Sequence, residues 1–519
     1  MTVSGDEEGL GRGELQRRAV DGVMWNLLNI GVAMPVSFVA NLFIARALGV
    51  VDYGRLAVLT AFVEILSFVL VGGLGQAVTQ YGAKAHASGD SPSVARLLRG
   101  YQGLRLTVEL PIYALAYAVL ADVPGPLRAA AIVIGLVLPA VIGNGAICFA
   151  IENRSGTGAR LVLAATLVSQ PIVVVVAMLT GSADYVWLAR MVAPVGLAFA
   201  SLAFIAPVYR RAIARPLLPP RLPKALWRFS AEVGLASLVG GLVMSRTEVF
   251  ALTAWSSAAA AGEFAIAFGL VSHVLGPPQA IVGPMVPALA SLRTVDEVSL
   301  GRAIRRTLRA MSTLAGTLSA TVLPALGPIV PVLYGREFAA ADPLIIAVGG
   351  LGAMASLAGP LAAVGLSRLA GGSLLRINLA ALGVDAALMV ALIPPLGVWG
   401  AVLANGGASL LRAGLLLHVS AQDLGVPAGT LARSGLPSVL GAAWAGVAWA
   451  LAMLIAPESE VLRAVIGAAV GGVGFVASLA LLRTGLSAGD RDAILVQLPR
   501  RIATVARPWL GQLARANAD

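Results

Sequence analysis

Residues 38–84 read FVANLFIARALGVVDYGRLAVLTAFVEILSFVLVGGLGQAVTQYGAK: two long apolar runs, with a short segment of aspartate, tyrosine, glycine and arginine between them. Each run approaches the roughly 20 residues that a helix needs to cross the hydrocarbon core of a bilayer. A helix also satisfies its backbone polar groups internally, as a lipid-exposed segment must. The stretch therefore predicts two membrane-spanning helices, the first ending near residue 47 and the second beginning near residue 56.

The same pattern continues through the 519 residues, of which 58% are hydrophobic and only 12% are charged. A soluble domain carries about 25% charged residues, and a water-soluble fold could not bury so much apolar surface. We therefore predict an all-α integral membrane protein of about 14 transmembrane helices. The predicted spans are 23–47, 56–80, 101–121, 128–151, 161–180, 185–208, 228–253, 264–290, 310–333, 343–366, 374–394, 397–419, 436–456 and 461–482, with proline breaks in the eighth and ninth.

The basic residues predict the orientation, because the cytoplasmic loops of membrane proteins are enriched in lysine and arginine. With the N-terminus inside, most basic residues of this chain, whose net charge is +11, fall in inner segments. The basic residues in outer segments are Arg46, Arg55, Arg128, Arg336 and Arg463. The sequence thus predicts cytoplasmic N- and C-termini. Since the basic residues are spread between apolar runs, we expect membrane lipids as partners and no nucleic acid.

An internal repeat divides the chain. A shift of 208 residues places Asp52–Ala57 (DYGRLA) on Ala260–Ala265 (AAGEFA), with Gly54 on Gly262. Both copies start on the same side, which predicts two pseudo-symmetric six-helix bundles around a central cavity. The predicted segments are an N-terminal bundle (1–208), a cytoplasmic connector (209–225), a C-terminal bundle (226–425), an extra helix pair (426–483) and a basic cytoplasmic tail (484–519).

The segment at 38–84 resembles the opening of bacterial polysaccharide-biosynthesis flippases, which belong to the multidrug/oligosaccharidyl-lipid/polysaccharide exporter superfamily. VLYGREFAAADPLIIAVGG (332–350) is similar to the outer loop before the tenth helix of these proteins, and 377–411 is similar to their helices eleven and twelve. The likeness covers roughly residues 15–483. The residues that carry it at 38–84 are Arg46, Leu48, Gly49, Tyr53, Gly54, Gly73, Leu74 and Gly75.

This resemblance implies a flippase in the bacterial plasma membrane that moves an undecaprenyl-linked oligosaccharide precursor of a surface polysaccharide by alternating access. Because the superfamily also includes lipid II flippases and multidrug antiporters, a cation-coupled multidrug antiporter is the alternative. The sequence has no metal-ligand cluster and no phosphate-binding glycine loop with lysine, so we predict neither an enzyme nor a cofactor. A membrane-embedded glycan polymerase or ligase is the alternative of a different class, although such an enzyme would favour longer outer loops.

Each charged side chain inside a span adds about 2.5–3.5 kcal/mol to the free energy of membrane insertion, so its presence there indicates a structural or functional role. Arg246 and Glu248 are two residues apart and point in different directions on a helix, so they do not pair within it. Arg246 could then bind the phosphate oxygens of an anionic lipid-pyrophosphate headgroup. A structural ion pair of Arg246 with an acid on another helix, such as Glu64 or Asp385, is the alternative, and the sequence leaves both open.

The candidate substrate-binding residues of the central cavity are Arg246, Glu248, Glu232, Glu64, Asp385, Asn41, Arg46 and Arg55. Arg46 and Arg55 flank the outer end of the first helix pair, where they would meet the headgroup or anchor the helices at the interface. Asn41 would bind sugar hydroxyls or tie helices together. Glu232 and His273 are candidate sites for a coupling proton or Na⁺.

Overall fold

The computed structural model describes residues 12–70, 72–143, 145–152, 154–218, 247–279, 297–367 and 371–486. It also describes short pieces within 222–241 and isolated residues at 282, 289 and between 489 and 511. The chain folds into two compact units, Met1–Gly241 and Leu242–Asp519. The described residues form helices and connecting turns and no strand, which confirms the predicted all-α class. The five-segment division stays a prediction.

The N-terminal unit contains eleven α-helices and two π-helical segments, Arg105–Glu109 and Ile132–Val137, among its described residues. The α-helices are α1 (Arg12–Leu70), α2 (Gly72–Ala87), α3 (Ser91–Leu104), α4 (Leu110–Leu120), α5 (Gly125–Ala131), α6 (Leu138–Ile142), α7 (Gly145–Ile151), α8 (Ser155–Thr180), α9 (Ala183–Arg190), α10 (Val192–Phe204) and α11 (Pro207–Ala214).

The described part of the C-terminal unit contains ten longer helices and a short 3₁₀ helix at Arg336–Phe338. The α-helices are α12 (Glu248–Trp255), α13 (Ala258–Gln279), α14 (Glu297–Tyr334), α15 (Ala341–Ala355), α16 (Ala358–Ser367), α17 (Gly371–Leu396), α18 (Val398–Leu424), α19 (Ala428–Ser434), α20 (Leu436–Ile455) and α21 (Glu460–Leu481).

Twelve helical segments among the described residues are long and apolar enough to cross a membrane. The first of them, Gly31–Leu66, includes the break between the first two predicted spans. The seventh predicted span, 228–253, lies largely outside the described residues. The count of about fourteen therefore stays a prediction.

Gly49 makes the turn between the first two predicted spans. Its φ of +72° is in the region that residues with a Cβ avoid, so glycine lets the chain change direction within a single residue of α1. No loop is needed as a result, and the second helical part begins directly after Gly49 and not near residue 56. Asn41 and Tyr53 join the two parts, since Nδ2 of Asn41 lies 2.9 Å from the Tyr53 hydroxyl.

The C-terminal helix pair α20–α21 packs against α14 through small residues. A Cβ on Gly441 would overlap the backbone of Gly316, and one on Gly471 would overlap the carbonyl of Ala320. Such close backbone approach is how small residues hold helices together in lipid, where the hydrophobic effect supplies no force between them. The opposite surface of the pair is apolar and open, with Leu454 78% and Leu481 83% exposed.

Polar bonds fix the same pair to α15. Asp342, in the first turn of α15, accepts a hydrogen bond from Nε1 of Trp449 at 2.9 Å. Nη1 of Arg463 lies 3.9 Å from the other carboxylate oxygen of Asp342. One buried acid therefore connects both helices of the terminal pair to the rest of the C-terminal unit.

Candidate functional site

Glu248 begins the described part of α12 and is fully buried. The helix α12 packs against α17 and α18, so the carboxyl group of Glu248 points into protein and away from lipid. Nδ2 of Asn405, on α18, donates a hydrogen bond to Oε1 of Glu248 at 2.7 Å. The second oxygen, Oε2, meets no hydrogen-bond donor among the described residues.

Asp385 is the second acid of this site. It lies on α17, is 1% exposed, and is close enough to Glu248 for the two carboxyl groups to repel each other when both are ionised. Neither oxygen of Asp385 has a hydrogen-bond partner, and neither acid forms a salt bridge, within the described part of the chain. Because an ionised carboxyl group without a partner is costly to bury, a proton, a bound cation or a basic side chain such as Arg246, which lies outside the described residues, would stabilise the pair.

A second polar pair lies two helical turns away on the same two helices. Nε of Arg412, on α18, donates to Oδ1 of Asn378, on α17, at 2.9 Å. The spacing from Asn378 to Asp385 equals that from Asn405 to Arg412, seven residues in each case, or about 10.5 Å along a helix. The hairpin α17–α18 therefore carries two polar layers, one acidic and one with a half-buried arginine.

Asn405 also borders a small cavity between α13, α15 and α18. Phe264, Leu351 and Gly406 form part of its wall, and its volume is about 20 Å³. A cavity of that size holds about one water molecule, or an ion of similar size. The described residues contain no group of three or more His, Cys, Asp or Glu side chains that could hold a metal ion. Neither Glu248 nor Asp385 lines this cavity, and Asn405 is the residue that borders it and also contacts Glu248. The oxygen atoms of the two carboxyl groups suit a proton or a hard cation.

The sequence-predicted residues have different environments. Glu248 and Asp385 lie together as described above, whereas Arg246 and Glu232 lie outside the described residues. Glu64 has an exposed side chain on α1 of the N-terminal unit, and Arg46 is exposed on the same helix. The substrate-binding role assigned to these residues stays a prediction.

Arg55 is held at the end of the N-terminal unit where α9 begins. Its Nε lies 3.1 Å from Oδ1 of Asp184, and its Nη2 lies 3.3 Å from Oδ2 of the same residue. The Nη2 group also donates to the carbonyl oxygen of Asp122 at 2.8 Å. These contacts favour the interpretation of Arg55 as an anchor between helix ends over a contact with substrate.

His273 has a local partner within α13. Its Nδ1 lies 2.7 Å from the carbonyl oxygen of Gly269, one turn earlier in the same helix. This geometry favours a core histidine over a proton-transfer group.

Sequence reasoning missed Asn405 and Asn378 as members of the polar layers. The signal was present, because polar residues recur at seven-residue spacing in two successive apolar helices: Asn378 and Asp385, then Asn405 and Arg412. That spacing places each pair on one helical face. Recognising it would have required treating asparagine as the partner of a buried acid.

No protein-family model matches the chain, and no curated protein matches it significantly. The fold nevertheless aligns with solved structures of membrane transporters. A lipid II flippase, MurJ, in an inward closed conformation aligns with a TM-score of 0.57 and 10% identity, over 87% of this chain and 99% of the flippase. An inward-facing multidrug resistance MATE family transporter of the MOP superfamily aligns with a TM-score of 0.55 and 14% identity, over 76% of this chain and 94% of that one. A MATE structure in a bent conformation aligns with a TM-score of 0.50 and 14% identity, over 82% of this chain and 99% of that one.

The twelve apolar helices indicate a multi-pass membrane protein, and its fold is similar to the folds of the aligned flippase and MATE structures. A similarity of fold to such proteins is what the resemblance of the segment at 38–84 predicted.

Proposed function

We propose that this protein is a flippase that moves an undecaprenyl-linked oligosaccharide precursor of a surface polysaccharide across the bacterial plasma membrane by alternating access. The observation that carries the proposal is the extent of the structural alignment. The alignment with the lipid II flippase covers 87% of this chain, against 76% and 82% of this chain for the two MATE structures. The resemblance of the segment at 38–84 to polysaccharide flippases supports the same substrate class.

The buried acids add a coupling mechanism to this proposal. Glu248 and Asp385 form a site that would bind a proton or Na⁺, with Asn405 holding the carboxyl group of Glu248 in position. Binding of a cation neutralises one of the two negative charges and weakens the repulsion between the acids, so it would favour the conformation in which the two acids are close. A ligand shifts a conformational equilibrium only through such a difference in affinity between two states. The cation gradient would thereby supply the direction of transport.

The same pair of acids favours a second candidate function, a cation-coupled multidrug antiporter. Two of the aligned structures are MATE transporters, one of them described as a multidrug resistance protein. An antiporter of this kind would carry cationic drugs against Na⁺ or protons, and it would not move a lipid-linked saccharide.

Reconstitution into vesicles tests the proposal. Purified protein is inserted into vesicles that contain a fluorescent undecaprenyl-linked saccharide, and a membrane-impermeant reagent reports how much saccharide is exposed outside. We expect the exposed fraction to change at a rate that depends on the protein. If the saccharide stays in its leaflet while a cationic dye is driven across by a Na⁺ or proton gradient, the antiporter function replaces the flippase function.

A further inference from the structure

A large open cavity lies in the N-terminal unit beside the turn between α2 and α3. Its volume is about 720 Å³, within the usual range for ligand pockets. One wall comes from α2 and α3, and the other comes from the connector that follows α11. Its lining includes two cations, Lys84 and Arg96, and the apolar side chains Tyr81, Leu97 and Leu217.

The connector wall is fixed to α3. Nε of Arg99 donates to the carbonyl oxygen of Arg215 at 2.8 Å, and the N–H of Leu217 donates to the carbonyl oxygen of Arg99 at 3.0 Å. A Cβ on Gly103 would overlap the carbonyl oxygen of Leu217, so the connector lies directly on the backbone of α3. These contacts give the cavity a defined second wall.

The charges of the cavity suit an anion. One nitrogen of Arg96 donates to Oγ of Ser93 at 3.0 Å, which leaves other N–H groups of its guanidinium for a ligand. Asp90, the acid in the lining, accepts a hydrogen bond from the N–H of Ser93 at 3.0 Å and caps α3. Hydrogen bonds from the side chain and backbone of Ser93 hold the pKa of Asp90 below its usual range. The N-terminus of α3 and the charge of Arg96 stabilise the carboxylate of Asp90, and Lys84 and Arg96 together leave the cavity with a net positive charge.

Cationic and apolar side chains lie next to each other along both helices of the cavity. Tyr81 lies three residues before Lys84 on α2, about 4.5 Å along the helix. Leu97 directly follows Arg96 on α3, and Leu217 adds an apolar side chain from the connector. Each cation of the cavity therefore has an apolar side chain close to it.

We propose that this cavity binds an anionic phospholipid, with the phosphate between Lys84 and Arg96 and the start of the acyl chains along Tyr81, Leu97 and Leu217. Clusters of basic side chains next to a membrane span bind anionic lipid headgroups in this way. The site is independent of the proposed transport function and of the buried acids in the other unit. A bound lipid would hold the connector against the turn between α2 and α3.

Native mass spectrometry of the full chain, released from detergent, tests the proposal. The protein is titrated with phosphatidylglycerol, with phosphatidylcholine and with inorganic phosphate. We expect phosphatidylglycerol to remain bound in preference to phosphatidylcholine. The double variant Lys84→Gln/Arg96→Gln should lower its apparent affinity about tenfold or more, since each basic residue near the surface contributes about 1 kcal/mol.

A matched control is the double variant Arg210→Gln/Arg211→Gln, which removes the same charge from exposed positions on α11 outside the cavity. It should retain wild-type affinity for phosphatidylglycerol. An equal loss of affinity for phosphatidylglycerol in both double variants would show a general effect of charge and would overturn the proposed site. Unchanged binding in Lys84→Gln/Arg96→Gln, or equal binding of the two lipids, would also overturn it. Displacement of phosphatidylglycerol by millimolar phosphate would identify phosphate as the ligand and refute the lipid proposal.

Discussion

Asn405 donates a hydrogen bond of 2.7 Å to Glu248, and this bond ties α12 to α18 at a fully buried carboxyl group. Asp385 completes the group from α17, without a hydrogen-bond donor of its own among the described residues. Three helices thus meet at two acids with one amide donor. Under the proposed function, a proton or cation balances negative charge at the two acids, and its binding would be coupled to transport.

Neutral substitutions at the acid pair should remove cation dependence. We expect Glu248→Gln or Asp385→Asn to abolish the response of transport to a Na⁺ or proton gradient, because the proposed cation site takes a carboxyl group from each acid. The unfolding temperature should not fall, since a buried amide costs less free energy than an unpaired carboxylate of the same shape. Gradient-driven flux in vesicles and thermal unfolding in detergent are the two measurements.

Glu337→Gln, at an exposed acid of the same unit, is the control for these variants and should behave as wild type. A gradient response that survives in both Glu248→Gln and Asp385→Asn would assign coupling to other residues.

Asn405→Ala tests whether Asn405 acts by positioning the carboxyl group of Glu248. Loss of the amide leaves both acids in place but frees the side chain of Glu248, so we expect the concentration of cation that gives half-maximal transport to rise by about 10- to 100-fold. Maximal flux at saturating cation should be retained. If Asn405→Ala left the half-maximal concentration unchanged, the hydrogen bond to Glu248 would have no role in cation binding.

The close approach of α20 to α14 predicts a clear difference between two glycines on α20. Gly441→Val should lower stability by about 1–3 kcal/mol, because the new side chain would overlap the backbone of Gly316. Gly446→Val should be close to neutral, since a Cβ at Gly446 meets no atom within 4 Å. Thermal unfolding of the two variants in the same detergent makes the comparison. Equal unfolding temperatures would show that the terminal pair does not depend on this approach.

A double-mutant cycle tests the anchoring role of Arg55. The side chain of Arg55 is 42% exposed, so solvent screens its pair with Asp184 and we expect a coupling energy of about 0–1 kcal/mol. Transport should persist in Arg55→Gln, because Nε and Nη2 of Arg55 already lie against Asp184 and the Asp122 carbonyl. Loss of transport with unchanged stability would instead place Arg55 in contact with substrate.

The predicted orientation can be tested with single cysteines. The natural cysteine, Cys148, is buried, so it gives little background to a membrane-impermeant maleimide. Ser88→Cys, in the turn after α2, should react only from the cytoplasmic side. Glu458→Cys, between α20 and α21, should react only from the outside. Labelling of Ser88→Cys from the outside and of Glu458→Cys from the cytoplasmic side would show that the topology is the opposite of the predicted one.

The sequence predicted the helical spans because a long apolar segment in lipid must satisfy its backbone hydrogen bonds internally, as a helix does. The sequence placed the end of the first span near Gly49 but predicted a loop up to residue 56. A sequence does not show that one glycine with positive φ is enough to turn the chain between two helices. The sequence also identified Glu248 and Asp385 as costly charges. Their proximity follows from the packing of α12 on α17, which depends on side-chain fit between elements more than 100 residues apart in the sequence.

Asp342 shows the same limit of local patterns. In the sequence it is an isolated acid in an outer loop, whereas in the fold it binds Trp449 and lies near Arg463 from two later helices. Residues that connect distant helices carry no local signal of their partner. The superfamily resemblance, by contrast, came from a continuous segment and was confirmed at the level of the fold.

The most direct test of the account measures two activities in one vesicle preparation under an imposed Na⁺ or proton gradient. One fluorescence signal reports which leaflet contains a fluorescent undecaprenyl-linked saccharide. A second signal reports the accumulation of a cationic dye. The account predicts that wild-type protein moves the saccharide, that the dye stays where it is, and that Asp385→Asn no longer responds to the gradient. Movement of the dye without movement of the saccharide would contradict it.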